Sequence, residues 1–192
     1  RDETPGQFYR KRLNRVLIPL VFWTVFYLGL KLATNAITLA QAVADLAQGK
    51  PHYHLWYLYM VLGLYLFTPF LRTFMGAASD RERALVVLLV LALSVAGTTV
   101  AFFAGWKGTF LTLFLPFLGY YLLGYHLSRR PPQAPAWALW AVLAAAIAVT
   151  AVGTGLLVRP LGREMGQYLY AYVGLPVIAM AMAVYLLGMR LP

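Results

Sequence analysis

Apolar residues gather in six long runs along the chain, at positions 16–33, 55–71, 84–104, 109–127, 136–158 and 168–188. Each holds about 17–23 residues, the length at which a helix rising 1.5 Å per residue crosses roughly 30 Å of hydrocarbon. None alternates with period two, and the polar residues collect in the gaps. The pattern predicts an all-α fold, a polytopic transmembrane bundle with six spanning helices. The shortest run, 55–71, also fits a buried or re-entrant piece; the charge pattern described below favours a span.

Residues 34–54 form the one long connection. Ile37, Ala40, Val43, Leu46 and Ala47 recur there at helical spacing, with Gln41 and Asp45 on the other face and Gly49 and Pro51 as stop signals. This predicts a short amphipathic helix lying on the membrane–water boundary. A surface helix that merely spaces two spans fits the same residues. Pro116 and Pro176 fall inside runs and predict kinked spans, since proline lacks the N–H that a helix interior needs. Trp106, Tyr125, Trp137, Tyr168 and Tyr172 sit near run ends, as in an interfacial aromatic belt.

Composition reinforces the choice of lipid as solvent. Apolar residues make up 61% of the 192 residues and charged ones only 11%, against the roughly 25% of a soluble domain. With a mean hydropathy of +0.70, disorder is excluded and a soluble globular domain is a poor fit. The absence of cysteine excludes disulfides, thiolate metal sites and a cysteine nucleophile. The sequence begins at Arg1 without Met or a signal-peptide layout, and therefore reads as a piece of a longer chain.

A net charge of +10 suggests nucleic acid only where the cations share one stripe. Here they punctuate the runs. With the N-terminal segment inside the cell, that side holds Arg1, Arg10, Lys11, Arg12, Arg15, Arg72, Arg81, Arg83, Arg129, Arg130 and Arg190. The other side holds Lys31, Lys50, Lys107, Arg159 and Arg163. The excess predicts that both ends of the sequence are cytoplasmic, and it leaves no role for nucleic acid. Asp2, Glu3, Asp45, Asp80, Glu82 and Glu164 all lie outside the runs, and no internal repeat is evident. Both facts weigh against a glycan or lipid transporter or flippase, which is the alternative reading.

Two stretches carry chemistry beyond topology. In Phe8-Tyr9-Arg10-Lys11-Arg12-Leu13-Asn14-Arg15, Arg12 and Arg15 share a helix face. Paired guanidinium forks suit phosphate, although a positive-inside cluster contains the same residues. In His52-Tyr53-His54-Leu55-Trp56-Tyr57, imidazole and aromatic groups at a membrane mouth suit sugar hydroxyls, and equally an interfacial anchor. No third ligand completes a metal site around His52 and His54, so no metal is expected.

Taken together these stretches resemble the membrane acyltransferase family 3. The resemblance rests on Phe8–Arg12 through Ile18-Pro19 with Phe22-Trp23 and Tyr27, then His54-Leu55-Trp56-Tyr57-Leu58, Gly63-Leu64-Tyr65-Leu66 and Thr68-Pro69-Phe70-Leu71-Arg72. Phe117–Tyr125 is similar to a later helix of that family. The resemblance implies a bacterial inner-membrane enzyme whose single acyltransferase domain includes all of residues 1–192 and extends past both ends. Such enzymes move an acyl group, usually acetyl, from cytoplasmic acyl-CoA to a hydroxyl of an extracytoplasmic glycan or lipid-linked sugar, with no bound cofactor. Arg12 and Arg15, accompanied by Arg10, match the donor-side element. His54, Trp56 and Tyr57 are the acceptor-side candidates. The family's catalytic histidine lies on a first helix that would precede Arg1, so the catalytic residue is unassigned and this piece alone is expected to be inactive.

Overall fold

The computed structural model describes residues 4–105 and 109–191. Among them are α1 (Pro5–Ala33), α2 (Leu39–Ala47), α3 (Trp56–Ala77), α4 (Asp80–Ala104), α5 (Leu115–Arg129), α6 (Ala136–Gly166), a 3-10 turn (Gln167–Tyr170) and α7 (Leu175–Gly188), with no strand. Arg1, Asp2, Glu3, Trp106 and Lys107, to which the charge and belt arguments assign places, lie outside the described residues. Five stretches are long and apolar enough to cross a membrane: Gly6–Ala33, Trp56–Ala77, Asp80–Ala104, Ala136–Arg163 and Gln167–Gly188. Their exposed residues are those lipid accepts, such as Ile18, Val25, Phe70, Leu85, Leu88, Leu93, Trp137 and Val152. The fold is an all-helical, multi-pass membrane protein.

The fourth run, 109–127, differs from its expected form. Residues 109–114 make a turn, and α5 follows with 15 residues, which reach about 22 Å at 1.5 Å per residue. Proline explains the boundary. Pro116 is the second residue of α5, where its missing N–H costs nothing, so it opens a helix rather than kinking one. Pro176 likewise stands in the first turn of α7, after a non-helical stretch at residues 171–174. The prolines that do lie inside helices are Pro19, Pro69 and Pro160.

The chain divides into two compact units, Arg1–Asp80 with Lys107–Phe117, and Arg81–Trp106 with Leu118–Pro192. In the first, α1 and α3 pack antiparallel. The Tyr9 hydroxyl donates to the Leu66 carbonyl at 2.7 Å, and near the other end Thr24 and Tyr59 share a hydrogen bond of 3.4 Å. Phe8 and Leu20 of α1 and Met60 and Met75 of α3 are buried. Gly63 allows the Phe114 ring to lie on α3, because a Cβ there would fall 2.6 Å from it.

In the second unit, α6 turns back on itself at Gly162, whose φ of 80° is open to glycine but strained for other residues. The chain then returns so closely that a Cβ on Gly166 would lie 2.5 Å from the Val158 Cα. Tyr120 on α5 donates to the carbonyl of Tyr172 at 2.8 Å, satisfying backbone in the non-helical stretch before α7. Tyr168 bonds Thr99 on α4 at 2.6 Å. It is therefore tied into the unit as well as lying near a span end.

The return at Gly166 is directly testable. Gly166→Ala should cost about 1–3 kcal/mol through overpacking and lower the thermal midpoint in detergent. Gly155→Ala, on the same helix with open space around it, should leave the midpoint unchanged or slightly raised. Equal midpoints for the two variants would show that the hairpin does not close as described.

Candidate functional site

Along α1, aromatic and cationic residues are segregated toward its two ends. The N-terminal end is fixed by a capping box between Thr4 and Gln7, with Pro5 in the first turn. Phe8 is buried there, 3% exposed, with its ring edge-on to Tyr65 of α3 at 6.0 Å between centroids. The Arg12 guanidinium lies over the Phe8 ring, 4.3 Å from its centroid. A guanidinium held on an aromatic face keeps its N–H groups at the edges of one plane. Arg12 is half-buried, whereas Arg10 and Arg15 are exposed. Arg12 and Arg15 are one turn apart on a single helix, as the spacing predicted.

The opposite end of α1 carries a stack. Trp23 and Tyr27, four residues apart, lie face to face at 5.5 Å, and the His52 ring continues the stack on Tyr27 at 3.8 Å with planes 16° apart. His54 closes the edge, T-shaped to Tyr27 at 5.9 Å and to His52 at 5.0 Å. One turn beyond Tyr27, the Lys31 ammonium donates to the carbonyl of buried Pro51 at 2.8 Å and sits 3.5 Å from the Asp45 carboxylate of α2. The ion pair is about one-third exposed, so its energy is small and its effect is positional. It holds the connection carrying His52 and His54 against the end of α1.

His52 is the most perturbed group in this cluster. Its Nδ1 atom is buried and has no hydrogen-bond partner in the described structure. Burial, then His54, then Lys31 push its pKa below the ordinary 6.5, so the ring is neutral at neutral pH.

The remaining candidates behave less uniformly. Trp56 opens α3 half-buried, tilted against Phe117 at 5.7 Å, while Tyr57 and His54 are exposed. Thus His54, Trp56 and Tyr57 do share one end of unit one. The arginines do not join them: fifteen residues of α1 separate Arg12 from Tyr27, about 22 Å along the axis. Sequence reasoning passed over Lys31 and Asp45 as partners. The signals were available, because Trp23, Tyr27 and Lys31 recur every fourth residue and Asp45 is the only acid between Glu3 and Asp80.

These features define a multi-pass membrane protein with a cationic cluster and an aromatic-imidazole cluster at opposite ends of one helix. The acyltransferase family 3 domain model matches residues 1–192, the whole sequence, and the chain belongs to that family. It is a membrane acyltransferase. No curated protein and no solved structure matches it.

The depressed pKa gives a signed expectation. Well above 6.5 the His52 ring is neutral in folded and unfolded chains alike and does not affect the balance. Below that, the unfolded chain takes up a proton that the folded ring resists, so stability falls until the folded pKa is passed. Between about pH 7.5 and about pH 5, the thermal midpoint of the wild type should therefore drop further than that of His52→Gln. Parallel pH profiles would contradict the assignment.

Proposed function

We propose that the protein transfers an acyl group, usually acetyl, from cytoplasmic acyl-CoA to a hydroxyl of an extracytoplasmic glycan or lipid-linked sugar in the bacterial inner membrane. The observation that carries this reading is the polarity of α1. An arginine pair braced on an aromatic ring sits at one end, and a neutral imidazole-aromatic cluster sits at the other. The family membership supplies the reaction type.

In this reading the donor approaches from the Arg12 end. Arg12 and Arg15, with Arg10 beside them, bind its phosphates or the thioester oxygen. The acceptor hydroxyl attacks the thioester carbonyl and gives its proton to a base. The tetrahedral oxyanion then collapses, the C–S bond breaks, and CoA departs as the thiol once it is protonated. Cations or N–H donors near the carbonyl stabilise the oxyanion. No covalent acyl-enzyme is required. His54, Trp56 and Tyr57 hold the acceptor by stacking and hydrogen bonds at the other face. Both ends of the sequence lie on the cytoplasmic side in this scheme.

In the full-length enzyme, Arg12→Lys and Arg15→Lys should each lower transfer tenfold or more at normal expression, about 1.4 kcal/mol. A lysine point charge lacks the planar fork. Phe8→Leu should raise the KM for acyl-CoA about fivefold, since a cation–π brace is worth about 1 kcal/mol, and Phe8→Tyr should restore it. Lys11→Gln should be nearly silent. Equal, small effects at all these positions would reduce the cluster to a topology anchor.

Trp56→Ala should weaken acceptor use more than acyl-CoA binding. Loss of acyl-CoA affinity with unchanged acceptor kinetics would reverse the sidedness proposed here.

A further inference from the structure

We propose that α2 is a membrane-seated helix whose Leu39–Val43–Leu46 face is embedded in phospholipid at the membrane–water boundary. The inference is independent of the acyl-transfer reading and rests on the placement of nine residues.

Depth is set by the neighbours. Two helices long enough to cross a bilayer, α1 and α3, end at Ala33 and begin at Trp56. Five residues lead into α2 from one and eight lead out to the other. The Lys31–Asp45 ion pair, with Lys31 also bonded to the Pro51 carbonyl, ties α2 to the last turns of α1. On the far side the Phe110 N–H donates to the Ala47 carbonyl at 3.1 Å, and Gly49 is packed so closely that a Cβ would meet Leu113 at 2.7 Å. The helix is therefore held at the level where the spans end.

Rotation about its axis is fixed as well. At about 100° per residue, α2 divides into three sectors. The first holds Ala42, 5% exposed, and Asp45, and it faces the protein. The second holds Gln41 and Gln48 beside Asp45, and it is polar. The third holds Leu39, Val43 and Leu46, exposed by 70%, 60% and 43%, with Ala40 and Ala47 beside them and no charge.

A helix in water needs two environments, protein and solvent. This one has a third sector, apolar and uncovered, roughly opposite its polar one. That is the arrangement of a helix lying in the plane of a bilayer. The apolar surface continues beyond α2 through exposed Phe110 and Leu111, which the Phe110–Ala47 bond brings alongside. Exposed Tyr53 and Tyr57 follow in the segment leading into α3, the residue type that favours headgroup level. A lipid partner fits this surface: it asks for continuous apolar area and no specific hydrogen bonds.

Residues 1–192 contain no cysteine, so single cysteines introduced there can carry nitroxide labels once any cysteine elsewhere in the full-length protein is replaced by serine. Val43→Cys, Leu39→Cys, Gln41→Cys and Ala42→Cys would each be labelled in the full-length protein. Power saturation with oxygen and a water-soluble nickel complex would then be measured in phosphatidylcholine–phosphatidylglycerol nanodiscs. Labels at 43 and 39 should favour oxygen and report a depth of about 5–10 Å below the phosphates. The label at 41 should favour nickel, and the label at 42 should be immobilised and shielded from both reagents. Nickel access at 43 and 39 equal to that at 41 would mean that the face is in water. Shielding of 43 and 39 from both reagents would mean that protein covers it. Either result overturns the proposal, and agreement between positions 43 and 39 guards against a local defect at one of them.

Discussion

A peptide group in hydrocarbon has no water to bond, so each N–H and C=O in the spans must find its partner within the protein. Helices meet that demand by themselves, and the places where the chain stops being helical must be paid for locally. Near the 171–174 break, the Tyr172 carbonyl takes the hydroxyl of Tyr120. Where the 109–114 turn meets α2, the Phe110 N–H goes to the Ala47 carbonyl and the Thr109 N–H to the Thr112 hydroxyl. Tyrosine hydroxyls also reach carbonyls that already lie within helices, Tyr9 to Leu66 and Tyr185 to Gly124. These three tyrosine hydroxyls all end on backbone carbonyls, and each fixes one element against another.

The same demand explains how Lys31 organises the first unit. An ammonium at the end of an apolar helix must reach polar partners or water. It finds the Pro51 carbonyl, on a residue that has no N–H of its own to offer, and the Asp45 carboxylate. Neither bond is worth much alone. Together they place the His52–His54 segment on Tyr27, and the imidazole stack with its depressed His52 follows from that placement. A positional constraint at the boundary therefore becomes an electrostatic property of the cluster.

Run length and composition were enough to read the helical class, five of the spans and the amphipathic segment that became α2, because lipid imposes those patterns on every residue it touches. Proline was misread at Pro116 and Pro176. A run of apolar residues looks the same whether a proline kinks its middle or starts a new helix, and the difference lies in tertiary bonds such as Phe110–Ala47 and Tyr120–Tyr172. The Arg12–Arg15 pair was legible as spacing on one helix. Its support was not, because the Phe8–Tyr65 platform joins residues fifty-seven positions apart. The His52 cluster shows the same limit: its members come from three segments, α1, α2 and residues 51–54, and only Trp23, Tyr27 and Lys31 carry a local periodicity.

The separation along α1 constrains any chemistry placed on it. In the proposed scheme the donor-side arginines and the acceptor-side rings are about 22 Å apart, far beyond the reach of a single transfer step, which needs reacting atoms at about 3–3.5 Å. One substrate must therefore extend along the helix, or both must meet between the two ends. An acyl donor whose anionic part is held at Arg12 places its reactive end away from those charges, in the direction the helix leads. The residues of α1 and α3 that line the intervening stretch include Thr24 and Tyr59, which share a hydrogen bond toward the imidazole end of the helix pair. Such hydroxyls are few in an otherwise apolar interval. They offer a polar substrate a hydrogen-bonding foothold between the cationic end and the imidazole end.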